Sequence, residues 1–211
     1  MSEQRGFNVD THILEEEAAV DRRFAVKAEI FDWLRIFSVV IVTVVFLFTF
    51  VFKIATIEGR SMQDTLFENQ KVIIVKPFYT PKQGDIVVIS RNADNAYKDN
   101  KNYSALPIIK RVIATEGQTV DIDFARGTVS VDGEVLNESY VRTPTNLKYD
   151  IEFPVTVKKG CVFVLGDNRN ESLDSRSSEI GDDGMIDTRY ILGHAVLRVF
   201  PLNKIKWLSG K

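Results

Sequence analysis

The sequence predicts a mostly β fold, in which a single N-terminal transmembrane helix precedes a domain of antiparallel sheets. Residues 36–52 form an apolar run of 17 residues without a charge, which is at the short end of the length that spans a bilayer as a helix. Beyond residue 70, β-branched runs of four to seven residues alternate with Gly, Pro and Asp turn signals. Such runs are typical of short strands, and their close spacing indicates antiparallel pairing.

The N-terminal part divides into a tail and an anchor. Residues 1–30 are polar and acidic and are interpreted as a solvated cytoplasmic tail. Residues 31–53 are interpreted as the transmembrane helix, with Arg35 and Lys53 able to reach the two interfaces. The run begins too far along the chain for a cleaved signal peptide, and it has no polar face like that of a soluble helix. The excess of basic residues before it predicts a single-pass cell-membrane protein with a cytoplasmic N-terminus and residues 54–211 outside the cytoplasm.

The part of the chain after the anchor is predicted to be rich in strands. Asp132 and Gly133 supply the positive φ angles that a tight hairpin turn needs. Residues 115–160 contain this hairpin and no candidate catalytic residue, so we expect a small lobe inserted in the main domain. Residues 92–103 are polar and predict a loop. The predicted strands are residues 72–75, 86–89, 107–113, 128–131, 134–136, 162–165 and 190–200.

Composition excludes several kinds of function. A formal net charge of -2 gives no electrostatic footprint for binding nucleic acid. Cys161 is the single cysteine, so no intramolecular disulfide can form. His12 and His194 are the two histidines and lie too far apart in sequence for a metal cluster to be inferred. A Ser-His-Asp triad built on His194 stays open as an alternative.

Two residues are candidates for nucleophilic catalysis. Ser61 lies in a segment that begins seven residues after the apolar run, and Lys110 is bordered by Ile109 and Val112 among other apolar residues. A serine hydroxyl is a poor nucleophile until a base takes its proton. A lysine has an unperturbed pKa of about 10.4, and burial among apolar side chains lowers it towards the range of a base. Periodicity alone leaves open that Lys110 is an exposed charge on a strand.

The segments around these two residues resemble the motifs of the bacterial type I signal peptidases. Residues 59–66, Gly-Arg-Ser-Met-Gln-Asp-Thr-Leu, match the serine motif of that family, with Asp64 where proline is usual. Three further motifs are matched in order by Gln-Gly-Asp-Ile-Val at 83–87, Lys-Arg-Val-Ile at 110–113 and the polar loop at 166–176. The resemblance covers roughly residues 31–206 and implies the fold of that family, with a small inserted β lobe.

The resemblance also implies catalytic roles for individual residues. Ser61 is expected to be the nucleophile and Lys110 the general base, which later protonates the leaving amine. Ser172 is expected to donate a hydrogen bond that orients the Lys110 amine. The backbone N–H of Ser61 is expected to bind the oxyanion, and because the second donor position is Gly59, that donor would also be a backbone N–H.

Supporting roles are implied for the charged residues of the polar loop. Asp174 and Arg176 are expected to form a structural ion pair beside the catalytic residues. Arg111 is expected to pair with Asp167 in the same region.

The implied activity is that of a membrane-bound serine endopeptidase that removes signal peptides from exported preproteins and cuts after small residues of the Ala-x-Ala type. Its partners would be signal peptides and the lipid bilayer, without nucleic acid, and a Ser/Lys dyad needs no metal or organic cofactor. The substrate is expected to bind as an added strand, with Met62, Ile86 and Val88 as candidates to line the pockets for its small side chains.

Two other functions fit parts of the sequence. A self-cleaving Ser/Lys protease of the repressor type would share the dyad and the β core, but it predicts a DNA-binding helix pair where this chain has a hydrophobic run. A non-catalytic, membrane-anchored β binding module would keep its function when Ser61 or Lys110 is replaced by alanine.

Overall fold

The computed structural model describes residues 27, 29–90 and 107–208, and the chain divides into two units, the second of which begins at Phe50. The first unit contains most of helix α1 (Glu29–Val51), whose last five residues, Leu47–Val51, form a π-helical turn. Within the described residues, α1 is the one helix long and apolar enough to cross a membrane, and its most apolar stretch has no buried residue. The predicted tail lies almost entirely outside the described residues, as does the loop predicted at residues 92–103.

Helix α1 ends before the basic residue that was expected to mark its C-terminal interface. Lys53 instead lies in a strand, Phe52–Thr56, that pairs with Lys71–Val75. Aromatic and β-branched residues favour strands as well as apolar helices, so the sequence did not reveal where one element gives way to the other.

Twelve strands occupy the described part of the second unit. In chain order they are β1 (Phe52–Thr56), β2 (Lys71–Val75), β3 (Ile86–Ile89), β4 (Ile108–Thr115), β5 (Thr119–Asp123), β6 (Thr128–Val131), β7 (Glu134–Val135), β8 (Val155–Thr156), β9 (Cys161–Leu165), β10 (Ile186–Asp187), β11 (Ile191–Phe200) and β12 (Lys206–Trp207). Every pairing between them is antiparallel, so the prediction of a mostly β fold with antiparallel sheets is confirmed.

The strands form a main sheet and a smaller one. The main sheet has the order β1-β2-β11-β3-β4-β9-β10, with β12 pairing to β11. The small sheet has the order β7-β6-β5-β8 and is inserted in the chain between β4 and β9. It lies within residues 115–160, where the sequence predicts an inserted lobe. The predicted hairpin joins β6 to β7, and Asp132 and Gly133 have φ angles of 52° and 84°. Besides β1, strands β5, β8, β10 and β12 were not predicted; the last three have two residues each, too few to show periodicity, whereas β5 alternates apolar and polar residues over five positions and was missed.

Strand β4 is the element that positions the site, because it lies inside the main sheet between β3 and β9. Two of its apolar side chains, Ile109 and Val112, join different buried clusters. The turn after β1 is anchored to the first of these clusters by Met62 and Leu66, which are 1% and 0% exposed. Burial of an apolar side chain of this size stabilises a fold by roughly 1.5–3 kcal/mol, so the turn is fixed to the sheet.

Candidate active site

The side chains of Ser61 and Lys110 meet although 49 residues separate them in sequence. The Lys110 Nζ atom donates a hydrogen bond of 2.8 Å to Ser61 Oγ and lies 3.2 Å from the carbonyl oxygen of Ile109. Lys110 is only 4% exposed, whereas Ser61 is partly accessible. A serine that is partly exposed is therefore in contact with the amine of a buried lysine.

The turn that carries Ser61 is held by the polar loop at residues 166–176. The backbone N–H of Asn168 donates to the carbonyl oxygen of Ser61 at 2.9 Å, and the Asn168 side-chain amide donates to the carbonyl oxygen of Arg60 at 3.2 Å. The Thr65 hydroxyl donates to the Asp167 carboxylate. These bonds fix the backbone on both sides of the Ser61 side chain.

Arg111 and Asp167 form the expected ion pair behind this turn. The Arg111 guanidinium donates two hydrogen bonds to the carboxylate, of 2.8 and 2.7 Å, and the two side chains are 2% and 1% exposed. A third bond of 2.7 Å goes to the carbonyl oxygen of Gly84, and the Tyr140 ring lies 3.8 Å from the guanidinium carbon. The pair is thus almost completely buried, and each guanidinium nitrogen donates a hydrogen bond, which is the kind of geometry in which a buried ion pair is tolerated.

Asp174 and Arg176 also form the expected ion pair, with a distance of 2.8 Å and no exposed side-chain surface. The Asp174 carboxylate accepts a second bond of 3.0 Å from the backbone N–H of Gly166. This bond fixes Gly166, a residue of the polar loop that packs against the Ser61 turn.

Ser172 lies beside Gly166, where this glycine packs against the turn. A methyl group added to Gly166 would overlap both the Ser172 side chain and the carbonyl oxygen of Ser61, so only glycine fits between them. The Ser172 hydroxyl is buried and has no hydrogen-bond partner among the described residues. The expected bond from Ser172 to the Lys110 amine is therefore not formed in this structure, although Ser172 lies next to the Ser61 turn.

An apolar cleft of about 340 Å³ lies on the concave side of the main sheet. Five adjacent strands contribute to it, β1, β2, β11, β3 and β4, so the sheet curves around the cleft. Of the three residues expected to line substrate pockets, Val88 lies in this cleft, while Met62 is buried beneath the turn and Ile86 lines a separate polar cavity. The full lining is Lys53, Ile54, Ala55, Thr56, Ile57, Glu58, Ile74, Val88, Pro107, Ile109 and Leu192.

His194 has a different environment from the one that a Ser-His-Asp triad requires. Its ring stacks on Tyr79 with the centroids 5.0 Å apart, and its Nε2 atom lies 3.6 Å from the Asp85 carboxylate. That nitrogen is buried without a hydrogen-bond partner among the described residues, so Ser61 does not donate to it. Because the contact of Ser61 is with Lys110, the geometry favours the dyad over the triad.

We expect acid to destabilise the fold through His194. Burial lowers the pKa of His194, and the nearby Asp85 carboxylate raises it by a smaller amount. The neutral imidazole therefore stabilises the fold above the unfolded-state pKa of 6.5, and this contribution is lost as the pH falls through the lower folded-state pKa. Thermal unfolding of the wild type and of His194→Phe, which keeps the stack on Tyr79, should show a smaller loss of stability between pH 7 and pH 5 in the variant. If the wild type and His194→Phe lost the same stability between pH 7 and pH 5, the role given to His194 would be wrong.

Comparison with known proteins finds relatives over the part of the chain that contains helix α1 and the Ser61 site. A family model described as "Signal peptidase, peptidase S26" matches residues 30–200. "Signal peptidase I P" of Bacillus subtilis subsp. natto is 30% identical over 196 residues, which are 88% of this chain and 97% of that protein. "Signal peptidase I" of Leptolyngbya laminosa is 34% identical over 160 residues, 74% of this chain and 73% of that one.

A crystal structure of a signal peptidase I from Enterococcus faecalis aligns with 56% of this chain and 98% of its own at 25% identity, with a TM-score of 0.41. The family model covers most of the sequence, including Ser61, Lys110 and the polar loop. The chain therefore belongs to the signal peptidase family, peptidase S26, and is a hydrolase of the signal peptidase I type.

Proposed function

We propose that this protein is a membrane-bound serine endopeptidase that removes signal peptides from exported preproteins by means of a Ser61/Lys110 dyad. The observation that carries the proposal is the 2.8 Å contact between a partly accessible hydroxyl and a buried amine. Family membership supports the reaction, and the contact supports the residues that perform it.

Lys110 acts as the general base in the proposed mechanism. Burial disfavours the charged ammonium, so the neutral amine that can accept a proton becomes more populated. As the amine takes the Ser61 proton, Ser61 Oγ attacks the scissile carbonyl and forms an acyl-enzyme through a tetrahedral intermediate. The same ammonium then donates its proton to the leaving amine of the mature protein, and water releases the signal peptide in a second cycle of attack.

The oxyanion of the tetrahedral intermediate is bound by backbone N–H groups. Neither the N–H of Ser61 nor that of Gly59 donates a hydrogen bond within the described part of the chain, so both donors remain available. Gly59 has a φ angle of 77°, and a side chain there would meet open space, so its surroundings leave room for a substrate. Removal of one donor of this kind costs about 10²–10³ in rate in other hydrolases.

The residues before the scissile bond bind in the apolar cleft as an added strand. Strand β1 pairs with β2 on one side and has no other strand partner among the described strands, so its free edge is open to an extended peptide. Ile57, Val88 and Ile109 line the cleft with apolar side chains that are themselves buried. In this proposal, the substrate positions that point into the cleft carry the small apolar residues of the Ala-x-Ala pattern.

Helix α1 anchors the enzyme in the cell membrane in this proposal, with the N-terminus in the cytoplasm and the β domain outside. Support comes from its length of 23 residues, most of them apolar, which matches the thickness of a bilayer core. Ser61 follows the helix by ten residues, so cleavage takes place close to the bilayer surface, where signal peptides present their cleavage sites.

Cleavage of a purified preprotein by the detergent-solubilised enzyme tests the proposed function. We expect a single cut after an Ala-x-Ala sequence, located by mass spectrometry of the mature N-terminus. A substrate with leucine in place of the alanine before the cut should be processed at least about tenfold more slowly, since the pocket would have to accommodate three more carbon atoms. Equal processing of both substrates would contradict the cleft assignment, and absence of any cut would contradict the activity.

The proposed role of Ser172 gives a separate prediction. If its hydroxyl donates to the Lys110 amine only when substrate is bound, Ser172→Ala should lower the cleavage rate by on the order of tenfold through loss of amine orientation. The same change should leave thermal stability equal or slightly higher, because it removes a buried hydroxyl that has no partner. A variant that cleaves at the wild-type rate would assign Ser172 to packing alone.

A further inference from the structure

The outer side of the turn that carries Ser61 is held by one residue from the inserted lobe. Arg142 lies in the segment between β7 and β8, and its Nη1 atom donates to Gln63 Oε1 at 2.8 Å and to Asp64 Oδ1 at 3.3 Å. Within the described residues, no other side chain hydrogen-bonds to the side chains of Gln63 and Asp64. These two residues come directly after Met62, the neighbour of Ser61.

Arg142 is itself attached to the polar loop. Its backbone N–H donates to the carbonyl oxygen of Asp167 at 3.1 Å. Asn168, which follows Asp167 in the polar loop, donates from its backbone N–H to the carbonyl oxygen of Ser61 at 2.9 Å. Arg142 therefore connects the two segments that meet at Ser61, and its side chain reaches the part of the turn that Asn168 does not contact.

This turn needs such a connection on its outer side. Its inner side is fixed by the burial of Met62 and Leu66, but Asp64 is 65% exposed and has no constraint from packing. An aspartate also leaves the backbone φ angle free, unlike a proline. A charged guanidinium that bonds two consecutive side chains restrains the backbone between them.

We propose that Arg142 is a positioning residue of the active site, which holds the Ser61 turn in the geometry needed for attack through its contacts with Gln63 and Asp64. The inference rests on the proposed role of Ser61 as the nucleophile. It gives the inserted lobe a function in catalysis, because a residue of the lobe segment restrains a turn of the main domain.

The expected signature is a loss of kcat without a matching loss of stability. The Arg142 side chain is 43% exposed, and ion pairs with this accessibility contribute little to global stability. A displaced nucleophile, by contrast, lowers the rate steeply, since a shift of about 1 Å can cost about 10²-fold. We expect Arg142→Ala to lower kcat by about five- to twentyfold, with KM nearly unchanged because the cleft is lined by other residues.

The experiment measures preprotein cleavage by the full chain in detergent, at substrate concentrations that separate kcat from KM, together with thermal unfolding. Arg142→Lys, which keeps a charged donor, should restore part of the lost kcat. The matched control is Arg126→Ala, because Arg126 is another exposed arginine of the lobe, with an ion pair to Asp123 at 3.6 Å and no hydrogen bond to the described residues of the Ser61 turn. The control should retain wild-type kcat, KM and unfolding temperature.

A mutant cycle then tests whether the contact itself is responsible. Replacing Gln63 and Asp64 together with alanine should lower kcat, and adding Arg142→Ala to that variant should lower it no further. Two results would overturn the inference if the wild-type enzyme processes preprotein. One is a wild-type kcat in Arg142→Ala, and the other is a loss of kcat in the combined variant equal to the product of the separate losses. A wild-type chain that cleaves no preprotein would instead overturn the proposed function.

Discussion

Replacing Lys110 with alanine is expected to abolish preprotein processing while the β domain remains folded. The Lys110 amine is the group that contacts the Ser61 hydroxyl, and no other side-chain base contacts that hydroxyl in the described part of the chain. A positioned general base contributes about 10²–10⁴ in rate, and a serine hydroxyl without one is a weak nucleophile. Ser61→Ala should have an effect at least as large, because it removes the attacking atom. Cleavage of a purified preprotein in detergent, followed over hours, measures both.

Two controls separate the loss of the base from other causes. Lys110→Met fills the buried volume without a titratable amine, so it should be as inactive as the alanine variant and more stable, since it leaves no cavity. Lys148→Ala removes an exposed lysine that pairs with Glu152 and should retain full activity. In the wild type, activity should increase as the pH rises above neutral, because a lysine base works in its neutral form. Normal turnover by Lys110→Ala would eliminate the dyad.

The sequence predicted the main β elements and the proposed dyad for different reasons. Strands β2, β3 and β9 were predictable because their apolar runs are continuous and bounded by turn residues. Ser61 and Lys110 were predictable because each lies in a motif of local sequence, and four such motifs occur in one order. A local pattern is enough for both kinds of inference, even when the residues meet only in the folded chain.

The apolar cleft that is proposed to bind substrate was not predictable in the same way. Its lining brings Ile57, the residue after β1, together with Ile109 from β4, and this juxtaposition depends on the curvature of the sheet. Proximity in sequence to Ser61 suggested Met62, but that side chain points into the core, where it anchors the turn. Nothing in the sequence pointed to Arg142 as a residue of the site. An exposed arginine in a loop is ordinary, and its partners Gln63 and Asp64 lie 79 and 78 residues away in sequence.

The second large effect is expected from the buried ion pair behind the Ser61 turn. Asp167→Ala would leave the Arg111 guanidinium, 2% exposed, without its carboxylate. Loss of one partner from a buried pair typically costs about 3–5 kcal/mol, because the remaining charge is uncompensated. We expect the unfolding temperature to fall by about 10 °C and cleavage to weaken as well, since the Thr65 hydroxyl also loses its acceptor. Thermal unfolding and preprotein cleavage of the detergent-solubilised chain measure the two effects.

A second substitution shows whether the uncompensated charge is the cause. Arg111→Met in the Asp167→Ala background removes that charge while keeping an apolar side chain against the Tyr140 ring, so the double variant should be more stable than Asp167→Ala alone. Glu152→Ala, which breaks an exposed pair with Lys148, should change stability by less than about 1 kcal/mol. If the double variant were no more stable than Asp167→Ala, the loss would come from the Thr65 and loop contacts of Asp167. The pair would then hold the Ser61 turn through hydrogen bonds more than through charge.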